Sequence, residues 1–392
     1  MIETLPPRLE TVVVPKFFSP SQWERMEACA LSVWSAADGS LPASLAAVVG
    51  TIFHDVRERV GETLPSVGDR ASLVREYLRE RVAAEEESLT RAGEGNLLPL
   101  ETTYGRRKWL DLVLDLESWA RRLGNEVIVC GRPKGSSKAQ TTNAKDSFAF
   151  GSNPWWASTT LRLRGRPDQA RRDGDIVDIT DYKSGGAVAI DGNITATTET
   201  QLHLYMLMAE ELGAKKVRGR IHARRGVFDV EWGTEQRTRM RERVFTMLER
   251  FPPDAEISAE DAARVGPHCI GCPLRPRCAK YLREVPTLWE NGKGHPRPLP
   301  YDAWGTVVAL ANTVGSLTIK LRDPNERQIS IEGLDSSLGP QLSATGPTYF
   351  FGLEPTEDVV MHGVLLHPRT FHERPPGPRW RRANRLRIYV AP

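Results

Sequence analysis

No stretch of this chain is apolar for long enough to cross a membrane. Every hydrophobic run falls short of the roughly 18 residues a spanning helix needs. A secretory start is also missing, because MIETLPPRLE is acidic and interrupted by proline. Together these absences lead to the expectation of a cytoplasmic protein with no membrane partner. Cysteine is scarce, with five residues at 29, 130, 269, 272 and 278, and in a reducing compartment disulfides are not expected. Excess charge is missing too: 53 Lys and Arg stand against 50 Asp and Glu, so net charge names no partner. There is no internal repeat. There is also no G-x-x-x-x-G-K-[ST] loop to cradle nucleotide phosphates. The chain is therefore not itself an ATP-driven helicase.

What is present suits a folded protein of two or three domains: 392 residues, 40% hydrophobic and 26% charged. Residues 19–34 read as a helix opened by Ser19 or Ser21 and Pro20, with Cys29 near its end. Helices are expected at 42–60, 69–92 and 101–123, the last stopping at Gly124. Glu126–Cys130 reads as a strand. Residues 131–158 read as a long loop carrying Lys134, Lys138, Lys145, Trp155 and Trp156, suited to touching DNA or to lying on the surface as an insertion. Thr160–Arg171 and Asp175–Lys183 form an expected hairpin about Arg172-Asp173-Gly174. A helix over 199–212, a hairpin about Arg225-Gly226 and a helix over 234–250 follow.

Beyond residue 300 the texture turns to short strands, with runs at 305–309, 316–321, 328–331, 348–353, 359–366 and 385–390. A small all-β domain, a five-stranded barrel of OB-like texture, is expected at 300–392. Tyr349, Phe350, Phe351, Phe371 and Trp380 lie there among basic residues, a set that serves either base stacking or core packing. Arg369, Arg374, Arg379, Arg381, Arg382, Arg385 and Arg387 are opposed only by Glu373. Such a tail suits phosphate binding or plain solvation.

Four short segments carry chemistry. Asp168 in RGRPD falls near the end of one expected strand and Asp181 near the end of its hairpin partner, so antiparallel pairing can bring the two carboxylates together. A hard cation such as Mg²⁺ takes oxygen ligands and keeps several waters, so two carboxylates and a substrate phosphate suffice. Asp181 and Lys183 are two apart and share a strand face, which puts an ammonium beside an attacking water. His54 would add one nitrogen, and a mixed shell accepts Mn²⁺ as well. Gln201 and Tyr205, at i and i+4, share one helix face that could orient Lys183 or hold the phosphate backbone. Each residue alone is ordinary; the ordered set is specific. A second cluster, Cys269-x2-Cys272-x5-Cys278, needs a fourth thiolate, best supplied by Cys29. By count, four thiolates suit zinc or an iron–sulfur cluster equally. Cys130 reads as a buried, inert thiol.

The segments GTIFH, LRGRPD, ITDYKSG and QLHLY resemble the RecB-type branch of the PD-(D/E)XK nuclease superfamily. The resemblance implies a restriction-endonuclease-like α/β (α+β) core over residues 1–290, with a helical insertion at 61–123. It implies metal binding by His54, Asp168, Asp181 and the Tyr182 carbonyl, catalysis by Lys183, and support from Gln201 and Tyr205. Glu126 matches a frequent glutamate of the family only loosely. The cysteine pattern resembles AddB-type and CRISPR-adaptation nucleases, which implies a [4Fe–4S] cluster on Cys29, Cys269, Cys272 and Cys278, acting as a staple. The activity implied is Mg²⁺- or Mn²⁺-dependent cleavage of DNA, as single strands or duplex ends, in repair, recombination or antiphage defence, with any unwinding left to a separate helicase or ATPase subunit. A non-catalytic DNA-binding scaffold subunit, or a zinc-stapled interaction protein, are the alternatives.

Overall fold

The computed structural model describes residues 2–35, 45–62, 69–91, 99–122, 147–183, 188, 192–223, 226–266, 268–269, 272–284, 301–313, 316–322, 326, 328–342, 346–355, 360–361, 364–365, 370–373 and 387–391. The expected strand at Glu126–Cys130, the helix stop at Gly124 and most of the basic tail lie outside these residues. Two compact units arise from interleaved stretches: Val14–Glu27 with Ala43–Ala255, and Met1–Val13 with Ala28–Pro42 and Glu256–Pro392. Among the described residues, no helix is long and apolar enough to cross a membrane.

The first unit is built on a mixed sheet. Its strands are β1 (Gly151–Ser152), β2 (Gln169–Asp173), β3 (Ile176–Lys183), β4 (Lys216–Ala223) and β5 (Gly226–Val230), in the order β5-β4-β3-β2-β1. Only β3 and β4 run parallel. A parallel pair needs a crossover, supplied here by a helix at Ala196–Glu211. That helix is buried nearly all round, as expected where apolar residues occupy every face. It sits close to the sheet because Gly219 has no side chain: a Cβ there would lie 2.6 Å from Met206 Sδ. A hairpin joins β2 to β3, with Gly174 at φ +57° in its turn.

The helix expected at 42–60 forms in this unit as α1 (Leu45–Glu62), and those of the expected insertion as α2 (Arg70–Arg91) and α3 (Arg106–Arg122); α4 (Ala196–Glu211) is the crossover and α5 (Thr234–Arg250) closes the unit. The expected single helix over 101–123 is two pieces, because Gly105 adopts φ +98° between Leu100–Tyr104 and α3. Charge ties α1, α2 and α3 together. Arg81 Nε meets Asp55 at 2.7 Å, and buried Glu117 accepts from Arg75 at 2.5 Å and Arg121 at 3.1 Å.

Two expectations are corrected. Thr160–Arg171 is not one strand: Leu163–Gly165 joins a small sheet with Ser147–Phe148 and Trp156–Ser158, and β2 starts only at Gln169. Pro167 cannot donate to a ladder, so pairing breaks there. The described part of the expected loop, 147–158, is strand-rich, and Trp156 is fully buried with Nε1 donating to Ala149 O at 2.7 Å. It is a core residue rather than a DNA contact.

The expected helix over 19–34 is interrupted where the two units divide: Trp23–Ala28 ends before Cys29, and a short helix resumes at Leu31–Trp34 in the second unit. Its β domain has strands β6 (Tyr301–Thr313), β7 (Ser316–Arg322), β8 (Gln328–Leu334), β9 (Thr348–Pro355), β10 (Thr370–Glu373) and β11 (Arg387–Val390). The order β9-β6-β7-β8-β10 closes, because β10 also pairs with β9. Inside lie Leu317, Ile319, Leu321, Ile329, Ile331 and Phe350. Ile2–Thr4 adds a parallel strand beside β11, which nothing in the sequence pattern announced.

Candidate active site

The register of β2 and β3 builds the site. Gln169 pairs with Thr180, so Asp168, just before β2 begins, stands across from Asp181 near the end of β3. The expected placement near the ends of both strands is therefore corrected: in an antiparallel pair, the start of one strand meets the end of the other. Asp181 is 2% exposed. Its Oδ2 lies 2.8 Å from Lys183 Nζ, and its Oδ1 accepts from Gln201 Nε2 at 3.3 Å. Lys183 Nζ also donates to Gln201 Oε1 at 2.9 Å. Asp168 Oδ2 accepts the Tyr182 backbone N–H at 2.6 Å, and its Oδ1 is 3.5 Å from His54 Nδ1 on α1. Of the residues expected at the site, these five side chains and the Tyr182 backbone come together.

Tyr205 does not reach the carboxylates. Its buried hydroxyl bonds the backbone of Arg166, and its ring packs edge-on against Trp156. Its effect on the site is indirect, through the strand that leads to Asp168. Gly165 makes room for it: an added Cβ would sit 2.7 Å from Tyr205 Oη and 3.1 Å from Pro20 Cδ. Gly165→Ala is expected to cost about 1–3 kcal/mol, as overpacking of a rigid ring does; a urea midpoint unchanged from wild type would refute this. His203, on the same helix, is buried and bonded to the Glu231 carbonyl at 2.9 Å. Glu126 lies outside the described residues.

Electrostatics prepare the pair for a cation. Burial pushes the Asp168 carboxyl up to about 6, against the Tyr182 N–H and the nearby charges of Lys183 and Arg57. Burial also raises Asp181 to about 6, and here the charge of Asp168 adds to it. His54 is held below its ordinary value by burial and by Arg57, which favours the neutral imidazole that a metal ligand requires. Among the described residues, no three His, Cys, Asp or Glu side chains are drawn into a closed metal cage. A buried Asp181 and a partly buried Asp168 across from it, with an imidazole at their edge, nonetheless fit a hard divalent ion that keeps most of its waters.

The pH consequence has a definite sign. Both carboxyls titrate higher in the folded chain than in the unfolded one, so the folded state holds their protons longer. The resulting destabilisation grows as pH rises from about 4 to about 6 and is complete above it. A bound cation relieves it. Saturating Mn²⁺ is therefore expected to raise Tm by roughly 5 °C or more at pH 8, and by clearly less at pH 5. Equal shifts at both pH values would contradict the site.

Arg57 was not foreseen. It lies one helical turn from His54, a spacing that puts both on one face of α1. Its guanidinium stands 5.0 Å from the Tyr182 ring centroid and 5.5 Å from that of Trp119. The i, i+3 offset from His54 was the available signal.

The four cysteines of the second cluster all belong to the second unit and carry free thiols. Burial pushes Cys272 up to about 11, and the charges of Cys269 and Cys29 add to it; Cys278 is raised by the same influences. Cys29 is lowered: burial opposes this, but a hydrogen bond with His268 and backbone bonds outweigh it. Cys130 lies outside the described residues. The Cys272 segment is anchored to the barrel. Arg275 Nε donates to Cys272 O at 3.0 Å, while its Nη1 donates to Asp302 Oδ2 at 2.6 Å. Tyr281 Oη donates to the same oxygen at 2.6 Å, and Gly352 N to Asp302 Oδ1 at 2.8 Å.

Compared with known proteins, residues 17–279 of the 392 match the family model of the PD-(D/E)XK nuclease superfamily. No curated protein matches.

Proposed function

The chain belongs to the PD-(D/E)XK nuclease superfamily, and from that premise we propose that it is a deoxyribonuclease of the RecB type that uses Mg²⁺ or Mn²⁺. Family membership implies a metal-dependent nuclease; the finer reading rests on the site. The observation that carries it is that buried Asp181, bonded to Lys183 and Gln201 in one network, stands across the β2–β3 register from Asp168, which the Tyr182 N–H holds in place. Asp168, Asp181, His54 and the Tyr182 carbonyl would hold the ion. When bound, a divalent cation activates water and neutralises charge on the scissile phosphate.

The chain's own groups do the remaining work. Lys183, held by Asp181 and Gln201, offers a fixed positive charge to the phosphorane-like transition state, and fixed charges need no reorganisation during reaction. The Tyr182 N–H keeps Asp168 oriented. With no nucleotide-binding loop in the sequence, unwinding of duplex ends would come from a separate ATPase. Repair, recombination or antiphage defence are the settings that suit such an enzyme. The test compares wild type with Asp181→Ala on single-stranded and duplex DNA with each metal. Cleavage that survives the substitution would remove this site from the reaction; no cleavage by wild type would favour a DNA-binding scaffold subunit.

The second unit supports a further part of the reading. Cys29, Cys269, Cys272 and Cys278 would bind a [4Fe–4S] cluster, since four free thiols lie in one unit and Cys272 and Cys278 each feel the charge of Cys29 and Cys269, as suits a multi-thiolate group. Its role would be structural, with metal binding contributing folding energy. Aerobically purified protein is expected to be brown, absorbing near about 400 nm, and Cys29→Ser to be colourless and less heat-stable. A colourless wild type carrying stoichiometric zinc would overturn this. The closed ring β9-β6-β7-β8-β10, with β8 and β10 its parallel pair, supports reading this domain as OB-like, and it would bind single strands.

A further inference from the structure

A cavity of about 620 Å³ opens beside Lys183 in the first unit, within the range of small-ligand sites. Arg57 of α1, Trp119 of α3 and Tyr182, Lys183 and His222 of the sheet are among the residues that line it. The rings meet edge to face, Trp119 with Tyr182 at 6.3 Å and Tyr182 with His222 at 5.2 Å. Unlike the fully buried Trp156, the Trp119 and Tyr182 side chains are only half-buried. The arrangement is therefore not ordinary core packing. Alternation along β3 adds the decisive placement. Asp181 and Lys183 share one face and Tyr182 takes the other, so the carboxylate–lysine network and the aromatic cavity flank the same end of the same strand.

We propose that this cavity seats an unpaired base of single-stranded DNA whose phosphate is presented at Lys183. The proposal deepens the nuclease reading and rests on it for the identity of the substrate. Aromatic rings and arginine are the groups on which single-stranded bases stack, because every base has a π face whatever its sequence. Arg57 fits this role twice, over Tyr182 at 5.0 Å and over Trp119 at 5.5 Å. A base inside a duplex is stacked and paired, and reaching such a walled cavity requires it to leave the stack. The substrate class selected is thus a single strand or a frayed end.

The test is equilibrium binding to the full chain in EDTA, so that nothing is cleaved, using a labelled oligothymidylate and a blunt duplex of equal length. Abasic sites are scanned along the oligonucleotide with wild-type protein. One position is expected to weaken binding about tenfold, the effect of losing one stacked base. Trp119→Ala should cause a similar loss for the single strand and leave duplex binding within about twofold, while Trp119→Phe keeps most of the affinity. Combining Trp119→Ala with the sensitive abasic position should add little further loss, because both delete the same contact. Equal weakening of single strand and duplex, multiplying losses, or an abasic scan with no sensitive position would each overturn the proposal. Because Trp119→Phe and the abasic scan do not depend on the alanine variant folding, every case gives an answer. Wild type that shows this binding pattern but cleaves nothing with Mg²⁺ or Mn²⁺ retires the nuclease reading and keeps the pocket. Wild type that cleaves without the pattern retires the pocket alone.

Discussion

Replacing Lys183 by alanine is expected to lower DNA cleavage by roughly a hundredfold to a thousandfold, the range for removing one prepositioned charge-stabilising group. Two losses combine. The transition state loses its ammonium, and buried Asp181 loses the cation 2.8 Å from its Oδ2. With Asp168 across from it, Asp181 then holds its proton to still higher pH and binds a divalent ion less readily. The variant should therefore need more Mn²⁺ for half-maximal activity, and its activity should rise to a plateau at higher pH than wild type. Lys183→Arg keeps charge but not the compact head that reaches both Asp181 and Gln201, so partial activity is expected. Asp181→Ala should lose as much and respond to no metal concentration. Near-wild-type rates in both alanine variants would place the chemistry elsewhere.

Asp302→Ala is expected to destabilise the second unit by about 3–5 kcal/mol, the cost of leaving one partner of a buried ion pair behind. Asp302 is 1% exposed and Arg275 4%, and three donors converge on the one carboxylate. Without it, the Arg275 charge and the Tyr281 hydroxyl stay buried unpaired. Chemical denaturation monitored by tryptophan fluorescence would measure the loss. The pairing of Asp302→Leu with Arg275→Met offers the control: removing both charges should recover most of the stability. A single variant that loses under 1 kcal/mol would show that the network is not what secures this segment.

The helices and the hairpin that position the site were legible because each has a local cause. Gly213 ends α4 at φ +100°, Gly174 turns β2 into β3, and apolar spacing marks the helices. Asp181 and Lys183 could be placed on one face because an i, i+2 pair is a short-range fact; Asp168 and Gln201 join them through strand register and the packing of α4, and were legible only through the ordered set of motifs. Arg57 and the cavity it lines were not legible, since they depend on where α1 and α3 settle over the sheet. Nor was the break at Pro167 given weight, although proline's missing donor was visible in the sequence. The spacing of Tyr205 to Gln201 points to the site, yet its hydroxyl is taken by the Arg166 backbone. Spacing shows which face a residue shares, not how far its functional atom reaches. The strand Ile2–Thr4 beside β11 joins residues almost the whole chain apart, a pairing no local pattern can reveal.

The interleaving of the two units has a consequence for biosynthesis. All of the first unit has been made once the ribosome passes Ala255, so it can begin to fold while the barrel is still unmade. The second unit has no such option. Cys29 leaves the ribosome early, but Cys278 is added roughly 250 residues later, about 12–50 s at ordinary elongation rates. Through that interval Cys29 is a nascent thiol without the three others, and β11 does not yet exist to receive Ile2–Thr4. This half of the molecule therefore matures only after β11 has been made, and its yield in cells should depend on how well the early thiol is shielded from oxidation while it waits.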